Sequence, residues 1–370
     1  MAPRWSADRL AGMRPVSVRI MHPDPGREAG PIARWVSQRR AGLAERHCAS
    51  CLTAGAADVA IVAGPPDDRS FGERVRTLVG REGPPGLVVL GSGAIPLATV
   101  ADLGAFIRAA GDERRVALAN NRYSADVVAV AQAGVLADLP DLPGDNALPR
   151  WLEEVAGYEV RDLRRRWRLA IDVDGPLELV LLGDRFVPDA IDLRPVRARI
   201  DALRTVGADR RAELLVTGRT SPATLAWLER AAAARVRALV EERGMRAASR
   251  LAQGDGPGEG RPPASVLGLL LERDGPASLG AHAARLSDGA FVDSRVLLAH
   301  RLGADERGWP PPEDRFASDL LLPERIRDPW LRELTRSAAS SPVPVLLGGH
   351  SLVGPGVRLV LHPRRTNPWT

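Results

Sequence analysis

The chain has 370 residues, of which 45% are hydrophobic and 26% are charged, a balance typical of folded globular proteins that excludes wholesale disorder. All 51 basic residues are arginines that alternate with acids, so the net charge is only +5, and with 4% aromatics this argues against a nucleic-acid surface. The N-terminal residues lack the apolar core of a signal peptide and no run approaches the ~18 apolar residues that span a bilayer, so we expect a cytoplasmic protein with no membrane partner.

Through residues 1–194, short apolar runs alternate with amphipathic segments, which predicts strands that alternate with helices. The predicted strands span residues 15–21, 57–64, 86–91 and 115–120. A long helix is predicted from Ile32 to Thr53, and another begins after an N-cap at Thr99. Residues 168–182 are predicted to form a further strand that leads into a helix. This alternation predicts an α/β fold with a mainly parallel twisted sheet that helices cover on both faces.

Residues 195–370 have a less regular pattern and are predicted to form a C-terminal α/β region. Its predicted elements are a strand–helix–strand unit at 213–244, a mainly helical region at 275–302, a helix at 325–341 and a closing strand pair at 343–349 and 357–362. The Gly- and Pro-rich residues 252–265 predict a flexible loop. We therefore expect one domain at 1–194 and a second region at 195–370, and the sequence leaves open whether the two share one sheet.

The residues that follow the predicted strands are candidates for ligand binding, because ligands of a parallel sheet bind outside the carboxyl ends of its strands. The loop after the first strand contains glycines and leads into a helix N-terminus with Arg27 and Arg34 nearby, which indicates either a phosphate site or a simple connection. The loop after the third strand places Gly91 and Ser92 where a base or ribose would bind. This loop has no acid before Asp102, although nucleotide-handling α/β proteins often end such a strand on an acid that holds a metal ion.

Two further predicted strand ends carry pairs of polar residues. Asn120 and Asn121 either hydrogen-bond a base or sugar edge or form a turn, since asparagine tolerates left-handed backbone. Asp172 and Asp174 lie two residues apart, so alternation along a strand would point both carboxylates to one side. Two carboxylates at this spacing suit Mg²⁺ with a bound phosphate, and we predict that both are catalytic metal ligands. The alternative is that Asp174 caps the helix that begins at Pro176.

Both cysteines of the chain, Cys48 and Cys51, lie in the predicted long helix beside His47. Two thiols and one imidazole are one ligand short of a closed zinc site, and the chain has no second cysteine pair. We therefore predict that these side chains serve packing and not metal or redox chemistry.

The order of these segments resembles the nucleotide-diphospho-sugar transferase superfamily, which has a GT-A-like, Rossmann-related fold. The likeness is carried by GAADVAIVAG at 55–64, GLVVLGSGAIPLATVADLGAFI at 86–107 and RLAIDVDGPLELVLL at 168–182, and it covers only residues 1–194. Among the branches of the superfamily, the sequence is most similar to the guanylyltransferases that act on molybdenum cofactor and on 2-phospholactate. The resemblance implies a nucleotidyltransferase-like protein that binds a nucleoside triphosphate or sugar nucleotide with Mg²⁺ and transfers a nucleotidyl group to a small phosphorylated acceptor.

The chain departs from the pattern of that family at three points. The family's loop aspartate falls at or beside Gly93, and its Asp-Thr-Pro is Asp174–Gly175–Pro176 here, with Glu178 where aspartate is usual. The lysine that follows the family's phosphate-gripping arginine has no counterpart, because this chain contains no lysine. Two alternatives therefore stay open: a catalytically degenerate nucleotide-binding or scaffold protein, and a glycosyltransferase that uses a sugar nucleotide. The sequence also leaves open which nucleotide and acceptor bind and whether the chain is a homo-oligomer.

Overall fold

The computed structural model describes residues 14–65, 69–80, 83–142, 144–243 and 262–362, and the strands of these residues form two separate sheets. The strands are β1 (Val16–Pro23), β2 (Asp58–Gly64), β3 (Gly86–Gly91), β4 (Val116–Ala119), β5 (Val127–Ala131), β6 (Glu159–Asp162), β7 (Glu213–Gly218), β8 (Arg235–Val240), β9 (Gly289–Asp293) and β10 (Val345–Gly348). The helices are α1 (Pro31–Thr53), α2 (Phe71–Val79), α3 (Val100–Ala110), α4 (Leu148–Glu154), α5 (Pro176–Leu181), α6 (Arg194–Ala208), α7 (Pro222–Ala231), α8 (Val266–Asp274), α9 (Leu279–Leu286), α10 (Ser294–Leu302), α11 (Pro312–Asp319), α12 (Pro329–Ser340) and α13 (Val357–Leu361). The predicted α/β fold with mainly parallel strands is confirmed.

Two further predictions concern the loop at 252–265 and the absence of a membrane-spanning segment. Most of the predicted loop at 252–265 lies outside the described residues, so it stays a prediction. None of the helices within the described ranges combines the length and the apolar character that crossing a membrane requires.

The first sheet has six strands in the order β2-β1-β3-β5-β4-β6, and β5 alone runs antiparallel to its neighbours. Successive side chains point to opposite faces of the sheet. Val18 and Ile20 of β1 are buried on the face that α1 and α3 cover. Leu87 and Val89 of β3 are buried on the opposite face, with α2 and α4. Because both faces are covered, the central strands are apolar along most of their length.

The sequence pattern predicted neither β5 nor β6, and of the strand and helix predicted at residues 168–182 only the helix is present, as α5. β5 is buried along its whole length but follows β4 after a short loop instead of a helix, so the expected alternation did not reveal it. β6 lies at the edge of the sheet and carries three charged residues. Residues 168–182 form no strand: Asp172 makes a single bridge to Ala94, because its neighbour is the loop after β3 and not another strand.

The second sheet has four strands, all parallel, in the order β10-β9-β7-β8. The predicted strand–helix–strand unit is confirmed as β7, α7 and β8, with the side chain of Ser221 capping α7. The central strand β9 lies in a region that was predicted to be mainly helical, and α13 replaces the second strand of the predicted closing pair. A five-residue apolar run suits a buried strand and a buried helix equally, so periodicity could not separate them.

The long helix α1 contributes to the cores of both sheets. Its first turns bury Ile32 and Trp35 in the core that contains β7, β9 and β10. Its later turns bury Ala44 and Cys51 with α3 against the first sheet. α5 also packs into the core of the second sheet. The two parts of the chain are therefore joined by packing as well as by the backbone, and the proposed boundary near residue 194 stays a prediction.

The N-terminus of α1 is capped by a carboxylate from the far end of the chain. Gly30 precedes the helix and offers no side chain, so the first backbone N–H groups need another acceptor. Glu313 at the start of α11 accepts hydrogen bonds from the backbone N–H of Ile32 and Ala33, at 3.2 and 2.9 Å. A Cβ atom at position 30 would lie 2.2 Å from Glu313 Cδ, so only glycine permits this approach.

We expect Glu313→Ala to lower the free energy of unfolding by about 1–2 kcal/mol, because it leaves two helix N–H groups without their acceptor. Denaturant unfolding measures the change. Glu324→Ala is the matched control, since the Glu324 side chain is 81% exposed and its ion pair with Arg336 contributes little. Equal stability of the two variants would contradict the capping role.

Candidate functional site

A cavity of about 390 Å³ opens at the carboxyl edge of the first sheet. The chain passes from β1 to β2 on one side and then crosses to β3 on the other, so the strand order reverses between β1 and β3. Ligands of α/β sheets bind in the crevice at such a point. The cavity is lined by Met21, Pro23, Arg40, Phe71, Arg74, Val89, Leu90, Gly91, Ser92, Gly93, Ala94, Ala125, Asp126, Val128, Gly144, Asp145, Leu148, Asp172 and Asp174. The structure thus brings together four of the predicted site residues: Gly91, Ser92, Asp172 and Asp174.

The loop after β3 forms one wall of the cavity, as predicted for Gly91 and Ser92. The backbone N–H of Ser92 donates to the Met21 carbonyl at 2.9 Å, which ties the loop to β1. The Ser92 hydroxyl lies 3.0 Å from Nδ1 of His22. Burial lowers the pKa of His22, which favours the neutral ring. Depending on the tautomer, Nδ1 of His22 either accepts a hydrogen bond from the Ser92 hydroxyl or donates one to the hydroxyl oxygen. Sequence reasoning gave no role to His22 itself, which lies one residue before the end of β1.

Three side chains of α1 hold the loops that line the cavity. Arg40 donates from Nε to the Val173 carbonyl at 2.6 Å, and Arg46 donates to the Pro96 carbonyl. His47 lies 2.9 Å from the Ala94 carbonyl, and burial lowers the pKa of His47 to about 4. A neutral His47 therefore donates its Nε2 proton to that carbonyl, which makes it an anchor and not a metal ligand.

The cysteines of α1 occupy positions that suit packing. Cys51 is buried in the core of the first sheet, and Cys48 packs against the same core. Burial raises the pKa of Cys48 and raises that of Cys51 to about 12. Both thiols are therefore protonated near neutral pH and are poor nucleophiles and metal ligands.

Asp172 and Asp174 both reach the cavity, although not from a strand. Oδ1 of Asp172 is buried and has no hydrogen-bond partner. Burial, reinforced by the charges of Asp174 and Asp126, raises the pKa of Asp172 well above its ordinary value, and the Asp172 and Asp174 side chains share a hydrogen bond. The Asp174 side chain is 44% exposed and lies 3.6 Å from Arg40. The two neighbouring carboxylates therefore disfavour each other's ionisation, and a cation beside them would be stabilised.

Asp174 is not the cap of α5, which was the alternative role. Gly175 is the N-cap residue, and Oε2 of Glu178 accepts a hydrogen bond from its backbone N–H at 2.9 Å. The start of α5 is thus capped without Asp174, whose side chain lines the cavity.

Asp126 is a third cavity carboxylate that sequence reasoning missed. It precedes β5, and because β5 runs antiparallel, its amino end lies at the carboxyl edge of β3. The Asp126 backbone carbonyl accepts a hydrogen bond from the Gly91 N–H at 3.2 Å. Asp126 therefore lies beside the loop after β3, which contains no acid before Asp102. Among other acids that follow predicted strands or end observed ones, Asp67 and Asp68 lie outside the described residues, and Asp293 ends β9 of the second sheet.

Asn120 and Asn121 do not line the cavity. Asn120 is buried and donates to Asp126 Oδ2 at 2.8 Å and to the Leu169 carbonyl at 3.0 Å, and its Oδ1 accepts two backbone N–H groups. Asn121 accepts from the Tyr123 N–H in a tight turn. Asn120 therefore orients Asp126, and Asn121 fits the turn that was its alternative role.

Arg27 and Arg34 are exposed and do not line the cavity either. The neighbouring α1 N-terminus, predicted to receive a phosphate, donates two of its backbone N–H groups to Glu313. The arginines that do line the cavity are Arg40 and Arg74, which lie further along the chain.

Asp102, the first acid after β3, has a structural role. It is 1% exposed, completes a capping box with Thr99 at the start of α3, and binds the guanidinium groups of Arg166 and Arg168 at 2.7 Å. Burial alone would raise the pKa of Asp102. Hydrogen bonds from Arg168 and Thr99, together with the charge of Arg168, outweigh burial and lower this pKa. The acid is thus committed to helix α3 and cannot replace the missing loop acid.

Gly93 has no room for a side chain. A Cβ atom there would lie 2.8 Å from Asp172 Oδ1 and 2.9 Å from the Val173 carbonyl oxygen. An aspartate side chain at this position would therefore displace Asp172.

We expect Gly93→Ala to lower stability by about 1–3 kcal/mol, the usual cost of overpacking. Gly91→Ala is the matched control from the same loop, because a Cβ at Gly91 meets no atom within 4 Å. Thermal unfolding of both variants measures the difference, and a Gly93→Ala protein as stable as Gly91→Ala would contradict the close approach.

The donor set of the cavity fits Mg²⁺ that arrives with a phosphate. Across the described ranges, no three His, Cys, Asp or Glu side chains are grouped to hold a metal ion. Mg²⁺ does not need three, because it keeps several waters and often binds through one or two carboxylates and the phosphates of its ligand. The Asp172–Asp174 pair provides two carboxylates, one with a buried oxygen that lacks a partner.

Comparison with known proteins assigns no family to this chain: no family model matches it, and no curated protein is significantly similar to it. The resemblance to nucleotide-diphospho-sugar transferases therefore stays a prediction from the quoted motifs.

Proposed function

We propose that this protein binds a nucleoside triphosphate or sugar nucleotide with Mg²⁺ in the cavity at the carboxyl edge of the first sheet. The observation that carries the proposal is the gathering of Asp126, Asp172 and Asp174 around a crevice where the strand order reverses. Three carboxylates with one orphaned buried oxygen favour a positively charged partner. A cation that carries a phosphate ligand is such a partner.

Each wall of the cavity has a part in this proposal. Asp172 and Asp174 would hold Mg²⁺, which would neutralise the charge on the ligand's phosphates. The guanidinium groups of Arg40 and Arg74 supply positive charge for the phosphate oxygens. The loop at Gly91 and Ser92 offers backbone and hydroxyl groups to the base or ribose. A volume of about 390 Å³ is within the range of small-molecule sites.

We further propose a nucleotidyltransferase-like activity toward a small phosphorylated acceptor, with a glycosyltransferase as its variant in the same site. One observation favours the competing, catalytically degenerate protein. The α1 N-terminus donates its N–H groups to Glu313, and Arg27 and Arg34 lie outside the cavity, so the phosphate grip implied by the family resemblance is missing. Diphosphate release in the presence of small phosphorylated acceptors separates the active protein from the degenerate one.

The binding claim is tested by thermal unfolding with ATP, GTP, CTP, UTP, UDP-glucose and GDP-mannose, each with Mg²⁺ and with EDTA. Ligand at a hundred times its dissociation constant stabilises a protein by about 2.7 kcal/mol, so the correct nucleotide raises Tm by several degrees with Mg²⁺ only. No shift with any of the six would contradict nucleotide binding.

We expect Asp174→Ala to abolish the Mg²⁺-dependent part of this shift, because it removes the more exposed of the two paired carboxylates. Asp189→Ala is the matched control, an exposed aspartate away from the cavity, and keeps the full shift. An Asp174→Ala protein that responds to Mg²⁺ and nucleotide like wild type would remove Asp174 from the site.

A further inference from the structure

The second sheet also has a point where its strand order reverses, and a loop at that edge reaches Asp172 and Asp174 of the first cavity. The chain passes from β7 to β8 and then returns across β7 to β9, so the strand order reverses between β7 and β9. Arg219 follows β7, Asp293 ends β9 and His350 follows β10. All four strands are parallel, so these residues lie at one edge.

Hydrogen bonds and a close backbone approach hold the residues of this edge together. Arg219 binds Asp293 through two hydrogen bonds of 2.7 and 3.0 Å, with the guanidinium 11% exposed and the carboxylate buried. Gly218, at φ +117°, lets the Asp293 Cβ approach to within 2.2 Å of where a side chain would begin. The Ser294 hydroxyl donates to the Gly348 carbonyl at 3.2 Å, which fixes the start of the loop that carries His350.

His350 connects this edge to the cavity. Its Nδ1 lies 3.6 Å from Oδ2 of Asp174, while Arg40 of α1 lies 3.6 Å from the other oxygen, Oδ1. The hydroxyl of Ser351 donates to the Asp172 carbonyl at 3.4 Å. Burial opposes ionisation of Asp293, but the Arg219 guanidinium lowers its pKa. The loop after β10 thus touches both carboxylate-bearing residues of the first cavity, His350 at the Asp174 side chain and Ser351 at the Asp172 backbone.

We propose that His350 is a positioning residue that holds the Asp174 carboxylate toward the cavity, so that the second part of the chain completes the cation site. This inference rests on the proposed function. The Asp174 side chain is 44% exposed and would otherwise sample several rotamers. Contacts on both of its oxygens, one from α1 and one from the loop after β10, fix its orientation before a cation arrives. Outer contacts of this kind commonly change metal affinity 10- to 100-fold.

The test is Mn²⁺ binding to the full chain, followed by the electron paramagnetic resonance of the free ion. We expect His350→Ala to weaken Mn²⁺ binding about 10-fold. His350→Asn should restore most of it, because the Asn amide nitrogen takes the place of Nδ1. His282→Ala, a histidine that pairs with Asp274 away from the cavity, is the matched control and binds like wild type. The Tm of each metal-free variant is measured alongside.

Each outcome bears on the inference separately from the proposed function. A wild-type protein that binds no Mn²⁺, alone or with a nucleotide, overturns both. A wild-type protein that binds Mn²⁺ while His350→Ala binds it equally, or more tightly, overturns the positioning role alone. Equal losses of affinity and of Tm in the Ala and Asn variants would show a merely structural residue and also overturn it. Loss in the Ala variant with recovery in the Asn variant supports it.

Discussion

Glu178→Gln is expected to make the protein more stable at pH 8.5 and to have little effect at pH 4.5. Glu178 is 5% exposed at the start of α5. Burial, with smaller contributions from the charges of Asp319 and Asp174, raises the pKa of Glu178 to about 8. The folded protein therefore keeps this carboxyl protonated at neutral pH, whereas an unfolded chain ionises it near its ordinary value of 4.5.

The direction of the pH effect follows from proton linkage. Between pH 4.5 and about 8 the folded state binds more protons than the unfolded state at Glu178, so stability falls as the pH rises through this window. Each pK unit is worth about 1.4 kcal/mol, so the loss over the whole window is on the order of 5 kcal/mol. Glutamine does not ionise, and its side-chain oxygen still accepts the Gly175 N–H that Glu178 Oε2 accepts now.

Denaturant unfolding of wild type and Glu178→Gln from pH 4.5 to 8.5 measures this difference. The two stabilities should converge at the acidic end and separate steadily toward the alkaline end. Parallel curves would mean that Glu178 is ionised in the folded protein, which would contradict the burial argument.

Arg295→Met is expected to be the most damaging single substitution, with a loss of about 3–5 kcal/mol. Arg295 binds Asp319 through two hydrogen bonds of 2.5 and 2.7 Å, and the two side chains are only 11% and 2% exposed. Asp319 lies beside Glu178, whose pKa it raises. Removing the guanidinium leaves the buried Asp319 without the two hydrogen bonds that Arg295 donates, because methionine fills the space but supplies no proton donor.

Arg194→Met is the matched control for this prediction. Arg194 also makes a two-pronged pair with its aspartate, Asp192, but its side chain is 90% exposed, so its loss should change stability by less than about 1 kcal/mol. Similar losses in the two variants would show that burial does not govern the strength of the Arg295 pair. Both are measured at pH 7 by denaturant unfolding.

The parts of the fold that sequence reasoning predicted are those set by local periodicity. The strands β1 to β4, the helix α1 and the Thr99 cap of α3 follow from apolar spacing and capping residues. The placement of Gly91 and Ser92 at the cavity also followed, because they come at the carboxyl end of a parallel strand. Asp172 and Asp174 line the same cavity from a segment that forms no strand, so the strand argument does not account for their position.

The residues that were missed reach the cavity from elements that periodicity does not connect to it. Asp126 precedes β5, which runs antiparallel to β3. It therefore reaches the carboxyl edge of β3 from the amino end of its own strand and not from a carboxyl end. Arg40 lies in the middle of a helix. Glu313 caps α1 by accepting from the N–H of Ile32, which lies 281 residues earlier in the chain, and no local pattern predicts such a contact. Tertiary packing and not secondary structure decides these positions.

The most direct test of the central claim is a crystal structure of the protein with Mn²⁺ and the nucleotide that raises its Tm most, recorded at a wavelength where manganese scatters anomalously. We predict an anomalous peak within coordination distance of both the Asp172 and the Asp174 carboxylates, bridged to a phosphate of the nucleotide, with the base or ribose against Gly91 and Ser92. An ordered nucleotide elsewhere on the molecule, or a manganese peak that touches neither aspartate, would contradict it.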